Sequence, residues 1–162
     1  MKKMLWGFRL DHWLVAIFMA TMVIIAFLNV LSRYIFHFSL AATEEITINL
    51  FVWVTTIGIG IAFERSGHLG MVTFFNKFPR SLQKASVIIY SLLAVGLFLI
   101  LDWYMIQAIY DEITLFQARS ASLNIPVWIY YTGLPIFSVF IFRGIYLDAL
   151  AKLTDKEKEE EK

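Results

Sequence analysis

The chain has no cysteine among its 162 residues, and charged side chains make up only 17% of it. Without thiols, a disulfide framework, a thiolate metal site and a cysteine nucleophile are all excluded. The formal net charge is +1, and the basic residues are dispersed instead of forming a stripe with stacking aromatic rings, so no nucleic-acid partner is expected. Hydrophobic residues make up 59% of the chain and the mean hydropathy is +0.69, which indicates an integral membrane protein.

Four apolar runs are long enough to cross the hydrocarbon core of a bilayer, which takes about 20 residues of helix. These runs are Trp13–Leu31, Ile46–Phe63, Val87–Ile106 and Val127–Leu147. They predict an all-α integral membrane fold, with four transmembrane helices in residues 1–150 and a charged tail in residues 151–162.

The distribution of lysine and arginine predicts the orientation of the helices, because positively charged flanks stay on the cytoplasmic side. Only Arg33 and Arg119 fall on the connections that follow the first and third spans. The other flanks carry Lys2, Lys3, Arg9, Arg65, Lys77, Arg80, Lys84, Arg143, Lys152 and the lysines of the tail. We therefore expect both termini and the tail to be cytoplasmic.

The connection between the second and third spans has the pattern of a short amphipathic helix. Leu69, Val72 and Phe75 can share one helical face, while Lys77 points elsewhere and Pro79 ends the segment. The pattern predicts a helix that lies in the cytoplasmic headgroup layer. A re-entrant segment inside the protein is the alternative.

Charged residues flank the turn between the first two spans. Arg33 lies one helical turn beyond Asn29, and Glu45 lies one turn before Asn49, so each pair shares a helix face. We expect Arg33 to pair with Glu44 or Glu45 and to clamp the hairpin, because unpaired polar groups are unfavourable in hydrocarbon. Simple snorkelling of these charges to water, or a part in transport chemistry, are the alternatives. The stripe of Glu45 and Asn49 continues through Trp53, Thr56 and Gly60, and this face is expected to meet the face of the first helix that carries Asn29 and Arg33.

Asp102 is the acidic residue closest to the middle of a span. Some fifteen apolar residues precede it and aromatic residues follow it, which predicts a position towards the outer boundary. An interfacial acid or a contact to another subunit fits that position better than a proton or ion relay. Gly58 and Gly60 are interpreted as sites of close helix packing, and Pro135 is expected to kink the fourth helix.

Four segments together resemble the small membrane subunit of tripartite ATP-independent periplasmic (TRAP) transporters, the DctQ type. They are NVLSRY (29–34), SLAATEE (39–45), AFERSGHLGM (62–71) and SLNIPVWIYYTGLPI (122–136). Each motif is weak alone, but their order along four spans covers nearly the whole chain. Arg33, Glu44 and Glu45 match the arginine and acidic pair of that family, and His68 matches its histidine after span two. Ala42 departs from the pattern, because many relatives carry tryptophan there.

The resemblance implies a subunit without catalytic residues or cofactors, in the bacterial inner membrane. Its partners would be a large DctM-type membrane subunit, which moves as an elevator and holds the substrate and sodium sites, and a DctP-type periplasmic binding protein. Such a transporter takes up organic acids such as dicarboxylates or sialic acid, and the small subunit would scaffold the large one and help to dock the binding protein. Asp102 and Arg119 are candidate outer contacts, and His68, Phe75 and Lys77 are candidate cytoplasmic ones.

Two other classes remain open from the residues alone. A self-sufficient homodimeric exporter would need a membrane-embedded acid, for which Asp102 is the candidate. A membrane anchor of a redox complex would need axial histidines inside the bundle, but His12, His37 and His68 all lie at span ends.

Overall fold

The computed structural model of the protein describes residues 10–38, 40–65 and 80–160. Its four α-helices are α1 (Leu10–Ile35), α2 (Ala41–Glu64), α3 (Arg80–Asp111) and α4 (Trp128–Glu160), and a π-helical turn (Glu112–Phe116) prolongs α3. All four helices are long and apolar enough to cross a membrane. The predicted all-α fold with four spans is therefore confirmed.

The helices extend beyond the apolar runs from which they were predicted. α3 begins seven residues before Val87 and remains α-helical to Asp111. Apolar composition marks only the part of a helix that suits hydrocarbon, whereas backbone hydrogen bonding continues into polar flanks. α4 likewise continues through residue 150 to Glu160, so the division between membrane domain and tail has no break in the backbone and stays a prediction.

The helices pack in the order α1, α2, α4, α3. α2 and α4 make the most extensive contact, α1 packs on α2, and α3 packs on α4. Many large hydrophobic side chains of α1 and α3 are exposed on the sides that face away from α2 and α4, whereas α2 and α4 are more deeply buried. A central pair of helices is thus flanked by two helices with broad apolar faces.

Connections 36–40 and 117–127 lie at one end of the molecule, here called the loop end. The first is a tight turn in which His37 adopts a left-handed backbone conformation with φ of 57°. The Asn29 side-chain Oδ1 accepts a hydrogen bond from the Leu40 backbone N–H at 3.2 Å, and the Ser32 hydroxyl donates to the Phe38 carbonyl at 2.9 Å. Asn29 therefore ties the end of α1 to the start of α2.

The second connection is ordered by its own backbone. Gln117, with φ of 46°, ends the π-helical turn, and a short antiparallel bridge joins Arg119 to Pro126. The Ser120 N–H donates to the Ile125 carbonyl at 2.8 Å. The Arg119 guanidinium donates to the Asn124 carbonyl at 3.2 Å, so this arginine holds the loop in shape.

The opposite end, here called the terminal end, carries the first residues of α1 and α3 and the last residues of α2. The predicted interfacial helix between α2 and α3, with His68, Phe75 and Lys77, lies outside the described residues. The interfacial helix therefore stays a prediction.

Candidate functional site

The backbones of α2 and α4 approach each other closely where the helices cross at Gly60 and Gly144. A Cβ added to either glycine would lie closer than 3.0 Å to backbone atoms of the other helix, at Phe140 and Gly60 respectively. Only glycine allows the two backbones to come this near. The prediction of close packing is confirmed for Gly60 and is wrong for Gly58, which has open space where its Cβ would be.

Trp53 fills the next contact towards the loop end. Its indole lies against Gly133, where a Cβ would collide with the ring, and its Nε1 donates to the Tyr130 carbonyl at 3.3 Å. The ring centroid lies 5.9 Å from that of Phe18 on α1 and 5.8 Å from that of Phe137 on α4. One tryptophan thus joins three helices, at separations at which tilted aromatic pairs attract.

The stripe on α2 was predicted to meet α1, but its main partner is α4, and Trp53 also contacts α1 through Phe18. Thr56 and Gly60 are buried, and Trp53 is half-buried against Gly133. The Thr56 hydroxyl donates a hydrogen bond to the Val52 carbonyl of the same helix at 2.8 Å. Its hydrogen is therefore not available to α4. The stripe is therefore a packing surface.

Glu45 lies at the loop end of that stripe and faces the second connection. Its carboxylate lies close to the hydroxyl groups of Ser120, Tyr130 and Ser122. The Tyr130 hydroxyl is buried, and it makes no hydrogen bond with the described part of the chain. Glu45 thus brings the start of α2 close to the loop before α4, which sequence spacing did not indicate.

The hairpin clamp, an ion pair of Arg33 with Glu44 or Glu45, stays a prediction. Arg33 is exposed in the last turn of α1, and Glu44 is exposed in the first turn of α2. The two asparagines named with them have local roles: Asn29 bonds across the turn to Leu40, and the Asn49 amide donates to the Glu45 carbonyl at 2.8 Å on the same helix.

Asp102 lies seventeen residues beyond Ala85 and fourteen before Phe116, near the middle of the long helix. α3 stays helical well past the point where its apolar run ends, and the position of Asp102 towards the outer membrane boundary stays a prediction. The carboxylate Oδ2 lies 2.7 Å from the Ser138 hydroxyl on α4, so this oxygen is engaged inside the chain. The outer contacts of Asp102 and Arg119 with another subunit remain predictions.

The terminal end holds a buried cluster that sequence analysis missed. Asp148 is only 1% exposed. Its carboxylate accepts a hydrogen bond from the Tyr90 hydroxyl and forms an ion pair with the Lys152 ammonium at 2.8 Å. The ammonium also lies 3.0 Å from the tyrosine hydroxyl. The i,i+4 spacing of Asp148 and Lys152 was the available signal, but nothing in the sequence pointed to the tyrosine on α3.

A second group of charges at the terminal end joins α1 and α4 to the end of α2. The Arg65 guanidinium and the His12 Nε2 are 2.9 Å apart, and the His12 Nδ1 lies 3.2 Å from the buried carboxylate of Asp11. Arg143 on α4 reaches Glu64 at 4.0 Å. Within the described residues no three acidic, histidine or cysteine side chains are grouped as a metal site would require.

These contacts describe a membrane protein whose polar groups mainly fasten its own helices. A family model for the DctQ component of tripartite ATP-independent periplasmic transporters matches residues 22–154. The chain belongs to this family. The DctQ-family match includes all of α2 and α3 and the 117–127 loop, most of α4 and about half of α1.

Three relatives support the assignment to the DctQ family. The chain is 31% identical over 87 residues to the C4-dicarboxylate TRAP transporter small permease protein DctQ of Vibrio cholerae, covering 54% of this chain and 36% of the relative. It is 39% identical over 61 residues to a putative TRAP transporter small permease protein of Haemophilus influenzae, 38% of each chain. It is 28% identical over 131 residues to the ectoine TRAP transporter small permease protein TeaB of Halomonas elongata, 80% of this chain and 66% of the relative. The matched region thus spans little more than a third of the first two relatives.

Proposed function

We propose that this DctQ-family subunit is a non-catalytic brace for the large membrane subunit of a binding-protein-dependent secondary transporter. The supporting observation is that two helices pack tightly on each other and the other two expose apolar side chains. α2 and α4 are locked together through Gly60, Gly144 and Trp53, while α1 and α3 each expose many large hydrophobic side chains. A rigid centre with two uncovered flanks suits a subunit that supports a moving neighbour.

The apolar flanks are the proposed contact surface for the large subunit. Helices associate in lipid through van der Waals packing and a few polar contacts, so a broad apolar face accepts either lipid or a protein neighbour. Lipid is the second expected partner on the same faces. Cysteine pairs between the large subunit and Val23 on α1 or Leu97 on α3, both exposed, would distinguish which flank is covered by protein.

The orientation is proposed from the lysine and arginine count. Both termini and the terminal end would be in the cytoplasm, and the loop end, with Glu45 and the 117–127 loop, would face the periplasm. A periplasmic binding protein of DctP type would then dock at the loop end, where Arg119 and Glu44 are exposed. Accessibility of single cysteines to an impermeant thiol reagent in intact cells tests this, and labelling at residue 121 but not at residue 151 is the expected result.

The transported substrate is proposed to be an organic acid and the coupling ion to be sodium, as the family resemblance implies. The relatives' names mention a C4-dicarboxylate and ectoine, which are different compounds. The substrate is therefore expected to be selected by the binding protein and the large subunit, not by this chain.

The hairpin clamp is proposed to hold the loop end in the shape that the partners recognise. Arg33→Ala and the double change Glu44→Ala, Glu45→Ala are each expected to reduce the yield of the complex on co-purification. If the arginine pairs with one of the acids, combining all three changes should cost less than the sum of the separate losses. A fully additive loss would mean that Arg33 touches neither glutamate.

The proposed role as a whole is tested by co-expressing the tagged chain with the large subunit from the same genome. We expect the two to co-purify in mild detergent and the chain alone to give no solute uptake in liposomes. Uptake by the chain alone would favour the homodimeric exporter, and a Soret absorption band in the purified chain would favour the redox anchor.

A further inference from the structure

Asp102 and Ser138 form a polar contact in the middle of two membrane-spanning helices. Asp102 has at least fourteen residues of its span on either side, and Ser138 lies ten residues after Trp128 and fourteen before Lys152. At 1.5 Å per residue, each is about 15 Å or more from both ends of its helix. The contact therefore lies well inside both helices, away from their polar ends.

The Ser138 hydroxyl has two acceptors and only one hydrogen. It lies 2.7 Å from the Asp102 Oδ2 and 2.9 Å from the Pro135 carbonyl, and Ser138 is 1% exposed. A hydroxyl donates one hydrogen bond and can accept two. If Asp102 is a carboxylate, both neighbours compete for the same hydrogen. If Asp102 carries a proton on Oδ2, it donates to Ser138, Ser138 donates to Pro135, and both short contacts are satisfied.

The other carboxyl oxygen supports the same assignment. Asp102 Oδ1 is buried and has no hydrogen-bond partner in residues 10–38, 40–65 and 80–160, and no ion pair within these ranges reaches Asp102. A lone anionic oxygen in apolar surroundings is far more costly than a carbonyl oxygen, and even a weak insertion scale makes a central charge unfavourable. A neutral acid leaves only a carbonyl oxygen unpaired.

We propose that Asp102 sits in the membrane as a neutral carboxylic acid and starts a hydrogen-bond relay from α3 to α4. The relay runs from Asp102 Oδ2–H to the Ser138 hydroxyl and from that hydroxyl to the Pro135 carbonyl. Proline has no N–H to donate to the preceding turn, so α4 is locally weakened at this position. The relay fastens that weakened turn to α3, and Asp102 acts as a positioning residue with no part in translocation.

Infrared spectroscopy of the full chain in lipid bilayers at neutral pH tests the proposal directly. The chain is compared with and without ¹³C-labelled aspartate, which identifies the aspartate bands by their isotope shift. We expect a carboxylic-acid C=O stretching band that disappears in Asp102→Asn and remains in the matched control Asp111→Asn, at the last α-helical residue of α3. Asp102→Asn should keep the wild-type unfolding temperature, because its amide can still donate to Ser138.

Ser138→Ala gives an independent readout that does not depend on the asparagine variant folding well. Removing the hydroxyl leaves the acid without its acceptor, so the C=O band should persist but shift to the frequency of a free acid. A spectrum in which Asp102→Asn removes only carboxylate bands would overturn the proposal. An acid band that Ser138→Ala leaves unchanged would overturn the relay.

Discussion

The helix crossing at Gly60 and Gly144 supports a prediction that can be worked out from the geometry. In Gly144→Ala the new Cβ would lie closer than 3.0 Å to the Gly60 carbonyl oxygen, and in Gly60→Ala it would meet the Phe140 carbonyl. Both neighbours are backbone atoms that no rotamer change can move. The helices must therefore separate, and overpacking of this kind typically costs about 1–3 kcal/mol.

A control at Gly58 separates this collision from the general effect of replacing glycine in a helix. Alanine is favoured over glycine in a helix interior by about 0.5–1 kcal/mol, so Gly58→Ala, with nothing within 4 Å of its Cβ, should be neutral or stabilising. Gly144→Ala is expected to be less stable than Gly58→Ala by about 1–3 kcal/mol, because the two share the propensity gain and only one collides.

The assay is reversible unfolding of the purified chain in mixed micelles, followed by circular dichroism as the denaturing detergent is raised. The double variant Gly60→Ala, Gly144→Ala should lose less than the sum of the single losses, because one separation of the helices relieves both collisions. Equal stability of Gly144→Ala and Gly58→Ala would refute the close crossing and the rigid centre inferred from it.

Three further predictions concern polar and aromatic contacts and use the same unfolding assay. Gly133→Ala should displace the Trp53 indole and destabilise the chain by about 1–3 kcal/mol. Adding Trp53→Leu should recover part of the loss, and no recovery would mean that the indole does not lie against Gly133. Lys152→Met should destabilise the chain by about 1–3 kcal/mol because it leaves the buried Asp148 carboxylate without its cation. Adding Asp148→Asn should restore part of that stability, and a further loss would contradict the pairing. Asn29→Ala should cost about 0.5–1.5 kcal/mol through the lost bond to the Leu40 N–H, and an unchanged midpoint would show that the bond adds nothing.

The fold was predictable from the sequence because membrane spans depend on a local property. About 20 apolar residues suffice to identify a span, and four runs gave the four helices. The motif order also led to the DctQ family, which the match over residues 22–154 confirms. The ends of the helices were less predictable, since hydrogen bonding continues into polar flanks, and α3 extends well beyond the apolar run from which it was predicted.

The contacts between helices were only partly predictable, because they depend on which faces meet. The polar and small-residue stripe through Trp53 and Gly60 was visible in the sequence, but its partner was not, and α4 is opposite it as well as α1. Gly58 and Gly60 look alike in the sequence, and only one of them lies at the crossing. The cluster of Tyr90 and Asp148 joins residues 58 positions apart, so no local pattern could indicate it.

The central claim is that this chain supports transport by a large partner and does not itself carry solute. Its most direct test is uptake of radiolabelled organic acids into liposomes that contain the chain alone, the large subunit alone, or both, each with the binding protein and a sodium gradient. We predict uptake only when both membrane subunits are present. Uptake by the chain alone, or full uptake by the large subunit without it, would contradict the account.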